Sequence, residues 1–229
     1  MRPGPGADPV AVTGEAGPPF GGLFDGHGRF RQAYAADERA FLRALAIHGQ
    51  RPLALFLGCS DSRVIPEQLM DAVPGELFVV RNVANLLPPF EHLDSSVGAA
   101  LEFAIGVLRV RHLIVCGHDS CGGVRAALDD QPDPAVAPSL HEWLTGLAPV
   151  VERTRHVPEA DGLRWRRAVE ENVLEQLGNA VSFPFVARAL EAGELTLHGW
   201  VYDLATGELR AYDRAADSFA PVGELLTGG

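Results

Sequence analysis

At 229 residues, 47% of them hydrophobic, the chain is long enough for one well-covered core and short for two independent domains. Its formal charge of -11 excludes a surface built for phosphate backbones or anionic membranes, so neither nucleic acid nor membrane is expected as a partner. All 19 basic residues are arginine, and with no lysine the chain has neither a Schiff-base residue nor a lysine-dependent phosphate loop.

Positions 1–22 hold six Gly and five Pro, half of the segment, which predicts a flexible arm; we extend it to residue 27, ahead of a single domain over 28–229. From Arg31 to His48, Tyr34, Phe41, Leu42, Leu45 and Ile47 recur at helical spacing and predict an amphipathic helix. Leu53 to Leu57 is a continuous apolar run stopped by Gly58, the pattern of a strand covered on both faces, with Cys59 at its C-terminal end. Glu76 to Arg81 is a second such strand, and His112 to Cys116 a third, ended by Gly117 beside His118. Between them Ser95 or Ser96 is placed to cap a helix running to Leu108. Leu140 to Val151 and Leu163 to Val181 read as further helices, and Leu195–Tyr202 with Leu209–Tyr212 as a terminal hairpin turning through Thr206 and Gly207. Strand, helix, strand order predicts an α/β fold of parallel crossover units, with ligand sites beyond the carboxyl ends of the strands.

Two clusters fall at those ends: CSDSR at 59–63 and GHDSCGG at 117–123. Cys59, His118 and Cys121 together form a soft three-ligand set of the kind that holds a catalytic zinc, leaving a fourth tetrahedral position open. Three cysteines are too few for a disulfide scaffold, which favours a reducing, cytoplasmic setting, and neither a secretory apolar core nor a run of ~18 apolar residues occurs. Two thiolates, a neutral imidazole and Zn²⁺ sum to zero charge, so an activating neighbour is required. Asp61 is placed to accept a proton, and Arg63 to hold its carboxylate by a bidentate pair. The bland readings are a closed structural site with Cys116 as fourth ligand, and a purely structural Asp61–Arg63 salt bridge. Ser120 with Gly122 resembles half of a hydrolase nucleophile elbow, but His118 two residues earlier would crowd that turn. Main-chain amides where a helix begins at Gly122 and Gly123 could attract an anion. His198 reads as a strand residue without a role.

With these residues in view, the chain resembles the β-class carbonic anhydrases from about Ala33 to the terminal hairpin. CSDSRVIPE at 59–67, GELFVVRNVAN at 75–85, SSVGAALEFAIGVL at 95–108, VCGHDSCGGV at 115–124, ENVLEQLGN at 171–179 and HGWVYD at 198–203 follow that family's order. The resemblance implies one Zn²⁺ per chain on Cys59, His118 and Cys121, and reversible hydration of CO₂ to bicarbonate and a proton by zinc-bound hydroxide, assisted by Asp61 and Arg63. It further implies a substrate site of Phe78, Val83, Phe103 and Gly122, with Gln50 on the substrate oxygen. Phe103 departs from a usual Tyr, and Gln50 supports the plant-like branch. A bicarbonate-regulated branch uses Trp, Arg and Tyr; Arg81 and Tyr202 fit it, but Phe56 stands at the Trp position. The implied fold is a four-stranded parallel sheet extended by an antiparallel strand, with helices on both faces and an N-terminal helical arm. The implied assembly is a homodimer or a dimer of dimers. Related readings are a carbon disulfide or carbonyl sulfide hydrolase on the same centre, and a silent bicarbonate-binding zinc protein.

Overall fold

The structure, a computed structural model, describes residues 21–33, 36–92, 94–129 and 131–223. It divides into two compact units, residues 1–49 and 50–229. In the first, α1 (Gly21–Ala33) and α2 (Ala36–His48) cover the helix expected from Arg31 to His48, apart from residues 34 and 35, Tyr34 among them, which lie outside the described residues. Residues 21–27, assigned above to the flexible arm, are helical. The helix-breaking prolines stop at Pro19, and beyond it only glycine, a far weaker breaker, disfavours the helix.

The second unit runs β1 (Ala54–Cys59), α3 (Pro66–Leu69), β2 (Leu77–Asn82), α4 (Ser95–Leu101), β3 (His112–His118), α5 (Gly122–Leu128), α6 (Pro138–Leu144), α7 (Ala148–Thr154), α8 (Leu163–Val181), α9 (Pro184–Glu191), β4 (Thr196–Tyr202), β5 (Leu209–Asp213) and β6 (Ser218–Pro221). The sheet order is β2-β1-β3-β4-β5-β6, with the first four strands parallel and the last two antiparallel. One antiparallel strand was expected; β6 adds a second, registering Tyr212 with Phe219, whose rings lie 5.4 Å apart. At four residues and ending in Pro221, β6 was too short to announce itself by alternation.

Alternation along the central strands sorts the core into two faces. Leu55, Leu57, Leu113 and Val115 face a large cluster with α7, α8 and α9, whereas Ala54, Phe56, Ile114 and Cys116 form a smaller cluster that meets α3 through Leu69. Helix α8 approaches β3 and β4 where the strands carry glycine. A Cβ on Gly117 would lie 2.9 Å from Val173, and one on Gly199 2.9 Å from Leu177.

Three helix boundaries differ from the sequence reading. Asp94, not a serine, caps α4: its Oδ1 accepts from Ser96 N at 3.0 Å and Val97 N at 2.9 Å, and a carboxylate there also suits the positive helix end. Past Leu101 the chain widens into a π-helical stretch over Glu102–Val107, with Leu108 N donating to Phe103 O. The helix expected over 140–151 is broken by a 3-10 turn at Thr145–Leu147 and restarts at Ala148, where Pro149 fits the first turn. Among the described residues no helix is long and apolar enough to cross a membrane.

Candidate metal centre

The parallel register sets Cys59 beside Asn82 and Gly58 beside Cys116, so Cys59 and His118 end adjacent strands at the carboxyl edge of the sheet. Ser120 then takes a left-handed conformation (φ +58°), which turns the chain back to bring Cys121 under the same edge as the N-cap of α5. The three ligand atoms lie within 4.8 Å of one another, and all three residues are buried.

The donor set fits a metal ion. The two Sγ atoms are 3.9 Å apart, close to the ~3.8 Å expected of two sulfurs on one tetrahedral zinc. His118 Nε2 is buried with no hydrogen-bond partner among the described residues, while Nδ1 lies 2.9 Å from Asp119 O. With Nδ1–H donating to that carbonyl, the lone pair of Nε2 faces the two sulfurs. As a pair the sulfurs give up one proton readily and the second reluctantly. The hydrogen bond from Cys121 draws the Cys59 thiol down to about 4, and that bond, together with burial, pushes Cys121 up. A divalent cation between them offsets the second ionisation. Cys116 lies on the opposite face of the sheet, where burial pushes its thiol up to about 12, so it is not a fourth ligand.

Asp61 and Arg63 meet as the spacing anticipates. Arg63 Nε donates to Oδ1 at 2.9 Å and Nη2 to Oδ2 at 2.7 Å, and the Arg63 backbone N–H adds a third bond to Oδ1 at 3.0 Å. The guanidinium beside it holds the Asp61 carboxyl well below the usual carboxylate range. Arg63 also reaches Ser120 O at 3.3 Å, which ties the two motifs together. Arg81 donates to Cys59 O at 2.8 Å and Asp61 O at 2.6 Å, so it holds the backbone of the first motif.

The pocket residues divide. Val83 follows Asn82 directly, its methyl lies 2.9 Å from where a Gly123 Cβ would be, and Gly122 borders open space. Phe78 pairs with Leu55, four residues before Asn82 and thus ~13 Å along β2 from the level of Cys59. Phe103 packs on Phe78 with ring centroids 5.9 Å apart. Gln50 precedes Ala54, itself ~17 Å along β1 from Cys59, and lines a groove with Leu53, Val107 and Arg111. Within one chain Gln50, Phe78 and Phe103 therefore do not converge on the three ligands. Phe56 is fully buried, and Ser120 has no hydrogen-bonded base among the described residues.

Four supports escaped the sequence reading. Trp165 Nε1 donates to Cys121 O and Trp143 Nε1 to Val83 O, each at 2.9 Å. Asn172 Nδ2 donates to Ala84 O at 2.9 Å, Gln176 Oε1 accepts from Leu87 N at 2.8 Å, and Gln176 Nε2 donates to Asn172 Oδ1 at 2.8 Å. This buried amide pair holds the loop in which Ala84 and Asn85 take left-handed conformations. Its signal was two amides four residues apart on the apolar side of α8.

Fold and site together define an α/β protein with three soft donors that could hold a metal ion at the carboxyl edge of a parallel sheet. Residues 54–209 match the carbonic anhydrase family model. A carbonic anhydrase of Pseudomonas aeruginosa is 43% identical over 207 residues, spanning 88% of this chain and 91% of the relative. The chain belongs to the carbonic anhydrase family, in its β class. The solved β-carbonic anhydrase CcaA superposes with a TM-score of 0.82 at 35% identity, covering 88% of this chain and 98% of that one. A tetrameric β-carbonic anhydrase of Sordaria macrospora gives 0.74 at 30% identity, covering 84% and 95%.

Proposed function

We propose that the chain catalyses reversible hydration of CO₂ to bicarbonate and a proton on a zinc ion held by Cys59, His118 and Cys121. The observation that carries this reading is the unpartnered, buried Nε2 of His118 facing a close pair of sulfurs. Cys59, His118 and Cys121 would hold the zinc, which when bound would supply the Lewis acidity that activates water.

The chain's own residues do the rest. Asp61 accepts a hydrogen bond or proton at Oδ2, which receives one bond from Arg63, whereas Oδ1 receives two, so Oδ2 keeps a lone pair free. Arg63 keeps the carboxylate ionised and aimed, and Arg81 fixes the main chain beneath it. Val83 gives an apolar wall suited to an uncharged substrate, and Gly122 leaves the mouth open for bicarbonate to depart. Gln50, Phe78 and Phe103 lie too far along the strands to serve their own centre. We assign them to the centre of a second copy, with each site at a subunit boundary of a dimer or a dimer of dimers. The tetrameric relative supports such an assembly. Arg81 is occupied by main-chain carbonyls and Phe56 offers no donor, which favours the plant-like branch, with Asp61 off the metal at alkaline pH.

The test is stopped-flow CO₂ hydration with zinc stoichiometry measured on the same sample. One zinc per chain with rapid turnover is expected. A metal-loaded protein inert toward CO₂ but active on carbon disulfide would displace the proposal in favour of the sulfur-substrate reading.

A further inference from the structure

Arg109, Arg111 and Arg188 line one groove of about 820 Å³, together with Glu194, Ile105 and Phe185. Arg111 directly precedes β3, so the groove lies at the amino end of the strand whose other end carries His118, ~20 Å away at the strand rise. Arg109 and Arg111 also line the adjoining groove that contains Arg51.

The three guanidinium groups make no ion pair or hydrogen bond among the described residues. Elsewhere in this unit Arg63, Arg125, Arg153, Arg167 and Arg210 pair with carboxylates and Arg81 binds carbonyls, while Arg51, Arg164, Arg166 and Arg214 are also without an ion pair among the described residues; what sets Arg109, Arg111 and Arg188 apart is that all three line one groove. Among the described residues Glu194 is the sole acid lining the groove, exposed and without an ion pair, so three positive charges meet one negative in a chain of net charge -11. Clustered like charges raise the local potential and repel one another, and a bound anion relieves both effects.

The backbone beneath is fixed. Arg111 N donates to Leu53 O at 3.2 Å and its carbonyl accepts from Thr196 N at 2.9 Å. Arg109 takes a left-handed conformation (φ +55°) just past the π-helical stretch, an uncommon state for a residue with a Cβ, and it carries its side chain to the same groove as Arg111. Arg188 completes the set from α9. Planar guanidinium forks match the paired oxygens of phosphate and carboxylate, and the volume lies within the usual range for small-molecule sites.

We propose that this groove binds a small multivalent oxyanion, a phosphate ester or a polycarboxylate, ~20 Å along β3 from this chain's own His118. Ile105 and Phe185 give the uncharged part of such a ligand an apolar surface.

The test is calorimetric titration of the metal-loaded full chain with pyrophosphate and, separately, citrate. The comparison proteins are the single changes Arg109→Asn, Arg111→Gln and Arg188→Gln, and the triple variant. Asn is chosen at 109 because it tolerates the left-handed backbone. Saturable binding of one anion per chain is expected, weakened roughly tenfold by each single change and lost in the triple, with metal content unchanged. The tighter of the two probes identifies the anion class. No saturable binding of either probe, or equal binding by the triple variant, overturns the proposal. So does dissociation of the assembly by the triple variant in sedimentation velocity, which would assign the arginines to a contact between copies.

Discussion

Oδ2 of Asp61 stands 4.0 Å from Nε2 of His118, the ring nitrogen that has no hydrogen bond of its own. That separation is too long for a bond between the two and places Oδ2 beside the ligand cluster. Asp61→Asn keeps the shape but loses the proton acceptor and the charge on Arg63's partner. We expect full metal content with CO₂ hydration reduced roughly a hundredfold or more, read by stopped flow. Turnover within a few-fold of the parent would remove Asp61 from the mechanism.

Cys116 is a thiol without ligand duty, on the face of the sheet away from the centre. Cys116→Ala should leave zinc stoichiometry at the parental value and cost about 1–2 kcal/mol of stability in denaturant titration, from the packing lost around a buried atom. Cys121→Ala should abolish stoichiometric metal. Loss of zinc from the Cys116 variant would restore a closed, four-ligand site.

His198, without a role at first reading, has its Nε2 3.0 Å from Nδ1 of His112 on the neighbouring strand. Burial, and secondarily His112, lowers its pKa from the ordinary value. A histidine kept neutral by the fold stabilises fully above its unfolded pKa of ~6.5, and that contribution is lost as pH falls through the lower folded value. His198→Gln should therefore be less stable than the parent by about 1 kcal/mol at pH ~8. The gap should close on acidification toward pH ~5, followed by thermal melts across that range. A gap that widens as pH falls contradicts the assignment.

Gly117 leaves no room for a side chain: an added Cβ meets Val173 at 2.9 Å and Val169 at 3.1 Å. Gly117→Ala should cost about 1–3 kcal/mol and weaken metal retention, because His118 is the next residue. Adding Val173→Ala should recover part of both losses. A Gly117 variant with parental stability would show that α8 yields more easily than this packing implies.

The reach of the sequence follows the range of the forces involved. Cys59, His118 and Cys121 were legible because soft donors at strand ends have few other uses, and Asp61 with Arg63 because their pairing is local. The buried strands were equally plain, since coverage on both faces leaves an unbroken apolar run. Other features depend on partners distant in the chain. Nothing near Asn172 or Gln176 names Ala84 or Leu87 as their partners, and nothing near Trp165 names the Cys121 carbonyl. The π-helical stretch at Glu102–Val107 holds Gly106 and the β-branched Ile105 and Val107, which weaken a helix without announcing a widened one, and the widening shows in the bond from Leu108 N to Phe103 O. The convergence of Arg109, Arg111 and Arg188 needs α9 folded back beside the start of β3, which no local pattern reports.

Helix α8 touches both halves of the metal centre at once. Asn172 and Gln176 grip the loop that follows β2, while Val169 and Val173 rest against Gly117, the residue before a ligand. An ion held by the three ligands would therefore couple its release to the packing of this helix. A chelator should act on the protein as a denaturant does, and any binder that clamps the helix should slow demetallation from a distance.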